Sequence, residues 1–92
     1  MSAEAARIDA TAAMLEHAAR EAGMLISGDG RISENDCSLL LGYAPDTLAK
    51  KRKAGSAPPA YPIGLNGCRV SYRMGDVAAW IEAQRENFDA AE

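Results

Sequence analysis

A run of four positive side chains, Lys50-Lys51-Arg52-Lys53, is the part of this sequence with the clearest chemistry. Ammonium and guanidinium groups donate hydrogen bonds to phosphate oxygens and neutralise their charge. Between Asp46 and Gly75 there are six basic residues and one acidic residue, although the whole chain has a formal net charge of -3. The flanking segments are therefore acidic, and the sequence predicts one locally basic surface that suits a polyanion such as nucleic acid.

Residues that usually carry catalysis or hold metals are sparse and badly spaced in this chain. His17 is the one histidine, and no nucleophile lies beside it in the sequence. Cys37 and Cys68 are far apart and form no CxxC pair, so neither a zinc site nor a disulfide framework is predicted. The run from Asp29 to Ile32 resembles the middle of an EF-hand loop, but Leu25 stands where the first calcium ligand is required. We therefore expect no enzymatic activity, no metal and no cofactor.

The size and composition of the chain predict one small cytoplasmic protein. Its 92 residues suffice for a single modest core, and 48% hydrophobic and 25% charged residues are ordinary for globular proteins. The apolar runs are far shorter than a membrane span, and the N-terminus lacks the basic start and leucine-rich stretch of a secretory signal. We expect a reducing compartment, in which both cysteines are small core or half-buried residues.

Two short helices are predicted between Ser33 and Gly55. Ser33 begins an N-cap signature that Asp36 completes, because an acidic side chain favours the positive end of a helix. An apolar helical face follows at Cys37, Leu40, Leu41 and Ala44. Gly42 interrupts that pattern, and Pro45 suits the first position of a second helix that meets no breaker before Gly55. Two short helices joined at a glycine-containing turn are typical of the helix-turn-helix, whose second helix enters the major groove of DNA.

The second of these helices is predicted to have an inward anchor and a basic outer face. We take Leu48 as the inward residue and turn the helix by about 100 degrees per position. The side chains that then lie on or beside the outer face are Asp46, Thr47, Lys50 and Lys53. Lys51 and Arg52 lie nearer the core, where their stems can cover apolar surface while their tips reach phosphates. A solvated basic helix without a ligand is the alternative interpretation.

A β-hairpin is predicted after a proline-rich connector. Its turn is Asn66-Gly67, a pair that tolerates the positive φ angles of a type I′ turn, and Pro62 implies an edge strand. The apolar positions predicted to share one face are Tyr61, Ile63, Leu65, Cys68, Val70 and Tyr72. This register leaves Asn66, Arg69 and Ser71 outside. A basic hairpin directly after a basic helix suits a wing, because its arginines can reach phosphates or the minor groove.

Longer helices are predicted on both sides of this unit. The alanine-rich segment from Glu4 to Gly23 has a stripe that could pack on the domain or on a second copy, formed by Ile8, Leu15, Ala18, Ala22 and Leu25. The segment from Asp76 to Phe88 has one apolar face, with Trp80 predicted as a core residue and Val77, Ile81 and Phe88 beside it.

The predicted fold is mainly α with a small β-hairpin (α+β), a winged helix-turn-helix with an additional N-terminal helix. We divide the chain into an N-terminal helical arm at residues 1–26, which forms a dimer in one of the two alternatives, and a DNA-binding domain at residues 27–92.

Three segments in this order carry a family resemblance: ISENDCSLLLGYAPDTLAKKRKAG, APPAYPIGLNGCRVSYR and MGDVAAWIEA. The motifs within them are Leu40-Leu41-Gly42, Pro45 before Thr47-Leu48, Tyr72-Arg73, and Asp76-Val77 followed by Trp80-Ile81. In order and spacing they resemble the excisionase and MerR-like winged-helix domains of bacteriophages and mobile elements. The chain departs from that pattern at Ala44, where a serine or threonine is common, at Lys51, where an aromatic residue is common, and at the acidic Asp46.

The resemblance implies a small transcriptional regulator or an excisionase-type recombination directionality factor, which binds and often bends double-stranded DNA without catalysis. The DNA-binding residues on this interpretation are Asp46, Thr47, Lys50, Lys51, Arg52, Lys53, Asn66, Arg69, Ser71 and Arg73. One module buries too little surface for tight specific binding, so we expect a homodimer or cooperative oligomer on DNA, with an integrase or RNA polymerase as a further partner. If about five phosphates are neutralised, log affinity falls with log salt at a slope of about -4 to -5.

Two other functions stay open at this point. A phage DNA-packaging protein similar to a terminase small subunit can use the same module, and it would form a higher oligomer with a packaging motor. A winged-helix adaptor or inhibitor would instead bind a protein and leave DNA untouched, with its acidic segments as contact surfaces.

Overall fold

Four helices and one two-stranded antiparallel sheet make up the regular structure of residues 2–90, which are the residues that the computed structural model describes. In chain order the elements are α1 (Ala3–Glu21), β1 (Arg31–Ser33), α2 (Glu34–Leu40), α3 (Thr47–Lys53), β2 (Ser71–Arg73) and α4 (Met74–Ala90). The chain is therefore mainly helical with a small antiparallel sheet, and the predicted α+β class is confirmed. Within residues 2–90, no helix combines the length and the apolar character needed to cross a bilayer.

Helix α1 begins at a serine cap and packs against α4. The Ser2 hydroxyl accepts a backbone N–H of the first turn at 3.0 Å, and Thr11 Oγ1 donates to Glu82 of α4 at 2.8 Å. The predicted stripe is wrong at three positions, which are exposed: Ala18, Ala22 and Leu25. A strict heptad drifts around a helix of 3.6 residues per turn, and the two buried residues of α1 are Leu15 and Ala19, one turn apart. This helix thus contributes to the chain's own core, and a dimer formed through it stays a prediction.

The two short helices have the predicted cap and the predicted glycine turns. The Ser33 hydroxyl accepts the N–H of Asp36 at 3.1 Å. Helix α2 ends ahead of Gly42, whose φ of 85° lies in the left-handed region that glycine adopts without strain. Helix α3 begins at Thr47 and not at Pro45, because residues 45–46 form the turn that leads into it.

Strand β2 has pairing partners on both of its edges. On one edge it pairs antiparallel with β1, with Ile32 opposite Tyr72 and Ser33 opposite Ser71. On the other edge Ser71 exchanges two backbone hydrogen bonds with Tyr61, at 2.8 and 3.0 Å. Sequence reasoning missed β1, since three residues that run directly into a helix cap show no alternation to detect.

The predicted Asn66-Gly67 turn is present, but the segments beside it do not form a regular hairpin. The φ angles of 50° and 85° are those of the predicted left-handed turn residues. Tyr61 pairs with Ser71 and not with Tyr72. The segment before the turn therefore holds one residue more than the segment after it, as in a bulge. Pro62 has no N–H to donate to a ladder. The predicted cross-strand face is therefore wrong beyond the turn.

The core lies where the helices meet the sheet, around Tyr72, whose side chain has no exposed surface. Its buried apolar members are Leu15, Ala19, Ile32, Cys37, Leu48, Tyr72, Met74, Val77 and Ala78. Cys37 is buried and Cys68 is half-buried, as predicted, and both are free thiols. The core thus draws on every helix and both strands.

Trp80 does not dock α4 on the core as predicted. It is half-buried and lies outside the core cluster, because Val77 and Ala78 form the buried face of the helix. Trp80 instead lines an open groove with residues of α2 and α3. The side chain of Phe88, predicted on the same face, lies outside the described residues.

Candidate nucleic-acid interface

Helix α3 carries its four positive side chains at two depths. Lys50 and Lys53 are exposed, whereas Lys51 and Arg52 are half-buried. Leu48 is fully buried and anchors the helix to the core. This is the arrangement that the helical repeat predicts when Leu48 faces inward. At the start of the helix, Asp46 is exposed and Thr47 is half-buried, in agreement with their predicted places on and beside the outer face.

Ser38 of α2 fixes the position at which α3 begins. Its hydroxyl donates to the carbonyl of Ala44 and accepts the N–H of Leu48 at 3.2 Å. Ser38 has no exposed surface, so water cannot replace either bond. One buried hydroxyl therefore joins α2, the turn and α3.

A buried carboxylate holds the C-terminal half of α3. Arg52 donates to both oxygens of Glu34, from Nε at 2.6 Å and from Nη2 at 3.2 Å. The Tyr72 hydroxyl donates to the same Oε2 at 2.7 Å. The Glu34 side chain is 9% exposed and that of Arg52 is 33% exposed. Burial alone would raise the pKa of Glu34, but the bonds from Arg52 and Tyr72 outweigh burial and the pKa is lowered.

This network gives Arg52 a partner within the protein. Its guanidinium was expected on a DNA phosphate, but it forms a bidentate ion pair with Glu34 inside the protein. Glu34 lies between Ser33 and Asp36 of the predicted N-cap signature, in the first turn of a helix, where an acidic residue is common on the surface. No periodicity distinguishes such a residue from a buried one, so the burial of Glu34 carried no signal in the sequence.

Lys51 also has a partner within the chain. Its ammonium lies 5.2 Å from the centre of the Tyr43 ring, within the range of a cation–π contact. Lys51 is half-buried, so its stem covers apolar surface as predicted. The ammonium is thereby directed to the side of α3 that Tyr43 occupies.

The segment around the Asn66-Gly67 turn adds a second group of polar side chains. Asn66 and Arg69 are exposed, as predicted. Arg73 is exposed as well, but its Nη2 pairs with Asp29 at 3.2 Å and its guanidinium lies 5.3 Å from the Tyr61 ring. An exposed pair of this kind is worth little, so a phosphate can compete for Arg73.

Ser71 faces inward, and the prediction that it lies outside is wrong. It has no exposed surface, its hydroxyl donates to the carbonyl of Ile63 at 2.9 Å, and it accepts from Arg31 Nη1 at 2.7 Å. The extra residue in the segment before the turn places the Ile63 carbonyl within reach of the Ser71 hydroxyl. Ser71 therefore holds the turn segment against the sheet and is not available to a ligand.

Glu34 contacts both the helix that carries the exposed lysines and the segment that carries the exposed Arg69. Its carboxylate binds Arg52 of α3, and its backbone N–H donates to the carbonyl of Val70 at 3.2 Å. Val70 directly follows the exposed Arg69. Helix α3 and the turn segment thus converge on the same residue at the start of α2.

Ion pairing and hydrogen bonding to anions are the chemistry that these side chains support. Within the described residues, no group of three or more His, Cys, Asp or Glu side chains could hold a metal ion. Burial, and then the charge of Glu34, raises the pKa of the Cys37 thiol to about 12, so it stays protonated at neutral pH. Lysine and arginine side chains at an exposed helix and an exposed turn can neutralise phosphates.

No protein-family model, curated protein or solved structure matches the chain. What the interface does is therefore inferred from its own residues and their geometry.

Proposed function

We propose that this protein binds double-stranded DNA as a winged helix-turn-helix domain of the excisionase/MerR-like kind. The observation that carries the proposal is the exposed pair Lys50 and Lys53 on a helix whose opposite side is anchored by the fully buried Leu48. Helices α2 and α3 are the two helices of the motif, and residues 61–73 are the wing.

The dimensions of α3 suit the major groove. Seven residues make a helix about 10 Å long, which is short enough to lie across a groove about 12 Å wide. Thr47, Lys50 and Lys53 are the side chains on that helix that enter the major groove, and the two ammonium groups neutralise phosphates along its edges. Asp46 can accept from cytosine N4 or repel other sequences.

Fewer cations of α3 and the wing are free to contact DNA than the sequence alone indicates. Arg69 and Asn66 are exposed and can reach the DNA backbone beside the helix. Arg52 is held by Glu34 and so positions α3, while Arg73 contributes only when it leaves Asp29. With Lys50, Lys53 and Arg69 as the main phosphate contacts, we expect a slope of log affinity against log salt of about -3, which is less steep than the slope of about -4 to -5 predicted from the sequence.

A protein with this interface fits a small transcriptional regulator or a recombination directionality factor of a phage or mobile element. One module of this size gives weak specific binding alone, so binding as a homodimer or as cooperative neighbours on repeated half-sites belongs to the proposal. An integrase or RNA polymerase is the further partner of such a protein, and the cytoplasm is its place of action.

A salt titration tests the proposal. Fluorescence anisotropy with a labelled duplex of mixed sequence gives the affinity at several salt concentrations. We expect the native chain to show a slope of about -3, and the pair Lys50→Ala with Lys53→Ala to show about -1, because each lost phosphate contact removes about 0.9.

The matched control removes the same charge elsewhere. Arg20→Ala with Arg85→Ala takes two exposed cations from α1 and α4 and should leave the slope unchanged. Equal slopes for the two double variants would overturn the proposal. So would a native chain that binds no duplex at low salt, and that outcome would favour the protein-binding alternative.

A further inference from the structure

An open groove of about 500 Å³ lies between the end of α2, the body of α3 and the middle of α4. Its apolar lining is formed by Leu40, Leu41, Tyr43, Trp80 and Ile81. Its volume lies within the range of about 300 to 1,000 Å³ that is common for binding pockets. Trp80 and Tyr43 belong to the residue types that carry most of the binding energy at protein interfaces.

The polar residues of the groove are one cation and two uncharged groups. Lys51, Ser56 and Gln84 line it, and no carboxylate does within the described part of the chain. The ammonium of Lys51 lies over the Tyr43 ring, so the positive charge is held beside apolar surface. This contrasts with the net charge of -3 of the whole chain.

Lys50 and Lys53 do not line the groove, so it is separate from the proposed DNA-binding face of α3. Both surfaces share the same helix, since Lys51 follows Lys50 in α3. A ligand in the groove can therefore bind while the outer lysines stay exposed.

We propose that this groove docks a short amphipathic peptide segment of a partner protein. The segment packs a leucine or aromatic side chain against Trp80 and places a carboxylate at Lys51. Charge complementarity selects the acidic group, because the described residues of the groove include a cation and no carboxylate. The open shape favours a peptide, since small molecules bind in sites that enclose most of their surface, whereas amphipathic helices lie in open apolar grooves.

The test uses the single tryptophan of the chain. The indole N–H of Trp80 gives one isolated cross-peak in a nitrogen–proton correlation spectrum, so its shift reports occupancy of the groove directly. The probe is a peptide of about twelve residues with leucine or phenylalanine at helical spacings i, i+3, i+4 and i+7 and glutamate elsewhere. Two reference peptides have lysine in place of glutamate, or the same composition with the apolar residues scattered.

We expect the acidic patterned peptide to shift the Trp80 peak with a Kd of about 100 μM, and both reference peptides to bind at least about tenfold more weakly. Ser56→Asp places a carboxylate in the groove at an exposed position and should weaken the acidic peptide by about tenfold, while Ser56→Asn, of similar size and no charge, should not. Lys51→Glu should weaken it further, whereas Lys53→Glu makes the same charge change outside the groove and should have little effect.

Five outcomes would overturn the inference. Three concern the peptides: an acidic peptide that leaves the indole peak unmoved up to about 1 mM, equal binding of the three peptides, and an unchanged affinity in Ser56→Asp. The fourth is that decanoate binds more tightly than the acidic peptide, which would assign the groove to small carboxylates. The fifth is self-association that Ser56→Asp abolishes, which would assign the groove to a second copy of the chain. No DNA enters the assay, so its failure is separate from failure of the proposed DNA binding.

Discussion

The Tyr72 hydroxyl donates to Oε2 of Glu34 at 2.7 Å and so joins strand β2 to the first turn of α2 within the core. The same oxygen accepts Arg52 Nε at 2.6 Å. Donors from a strand and from a helix therefore meet on one carboxylate that is almost removed from water. The orientation of α3, and with it that of Lys50 and Lys53, depends on a group that is not itself part of the exposed surface.

Removing the hydroxyl of Tyr72 should destabilise the fold. Tyr72→Phe keeps the ring and deletes one donor to a buried carboxylate, which costs about 1 to 3 kcal/mol. The free energy of unfolding in urea measures this cost. Tyr43→Phe removes a hydroxyl from a half-buried ring outside the network and should change stability by less than about 0.5 kcal/mol. Similar costs for the two variants would show that the bond to Glu34 contributes nothing of its own.

Arg52 should prove to be a positioning residue. Arg52→Met leaves the Glu34 carboxylate without its cation and should cost about 3 kcal/mol, and adding Glu34→Gln should recover part of that, because an amide needs no counter-charge and still accepts from Tyr72. Urea unfolding of the two single variants and the double variant gives the coupling energy. The salt slope for DNA of folded Arg52→Met should equal that of the native chain. A slope smaller by about 0.9 would place Arg52 on a phosphate after all.

Acid should weaken the fold through Glu34. Burial raises its pKa, but the bonds from Arg52 and Tyr72 bring it below the ordinary value of 4.5. The unfolded chain then takes up this proton first, so the stabilisation is complete above about pH 4.5 and is lost as the pH falls through the lowered pKa of the folded state. The pKa of exposed Asp29 is also lowered, first by the bond from Ser27, and its effect on stability has the same sign.

The measurement is the urea midpoint between about pH 7 and about pH 3. Glu34→Gln should give a shallower decline than the native chain, while part of the decline persists because Asp29 still titrates. If the two curves fall in parallel, the carboxylate of Glu34 has the same pKa in the folded and unfolded chains.

The features that the sequence predicts correctly are those decided by neighbours in the chain. The Ser33 cap, the Asn66-Gly67 turn and the outward direction of Lys50 and Lys53 each follow from a side chain and the few residues beside it. An N-cap hydroxyl binds a backbone N–H within one turn, and the helical repeat fixes the direction of a side chain relative to its neighbours on the same helix. Neither prediction needs tertiary information.

The features that the sequence does not predict are decided by contacts between distant segments. Strand β1 exists because Ile32 meets Tyr72, and the burial of Glu34 depends on Arg52 and Tyr72 arriving from two other elements. Trp80 looks like a core residue by its type alone, and only the packing of α4 shows that smaller side chains hold that position. Propensity and spacing carry no information on such pairings.

Ser38 provides the sharpest test of what positions α3. Ser38→Ala leaves the N–H of Leu48 and the carbonyl of Ala44 without their buried partner and should cost about 1 to 3 kcal/mol in urea unfolding. Ser56→Ala is the control, since its hydroxyl bonds at an exposed position and should matter by less than about 0.5 kcal/mol. Hydrogen exchange of the Leu48 amide should accelerate in Ser38→Ala, because that amide loses its acceptor. An amide that keeps its protection would mean that the packing of the Leu48 side chain, and not the hydroxyl, determines where α3 begins.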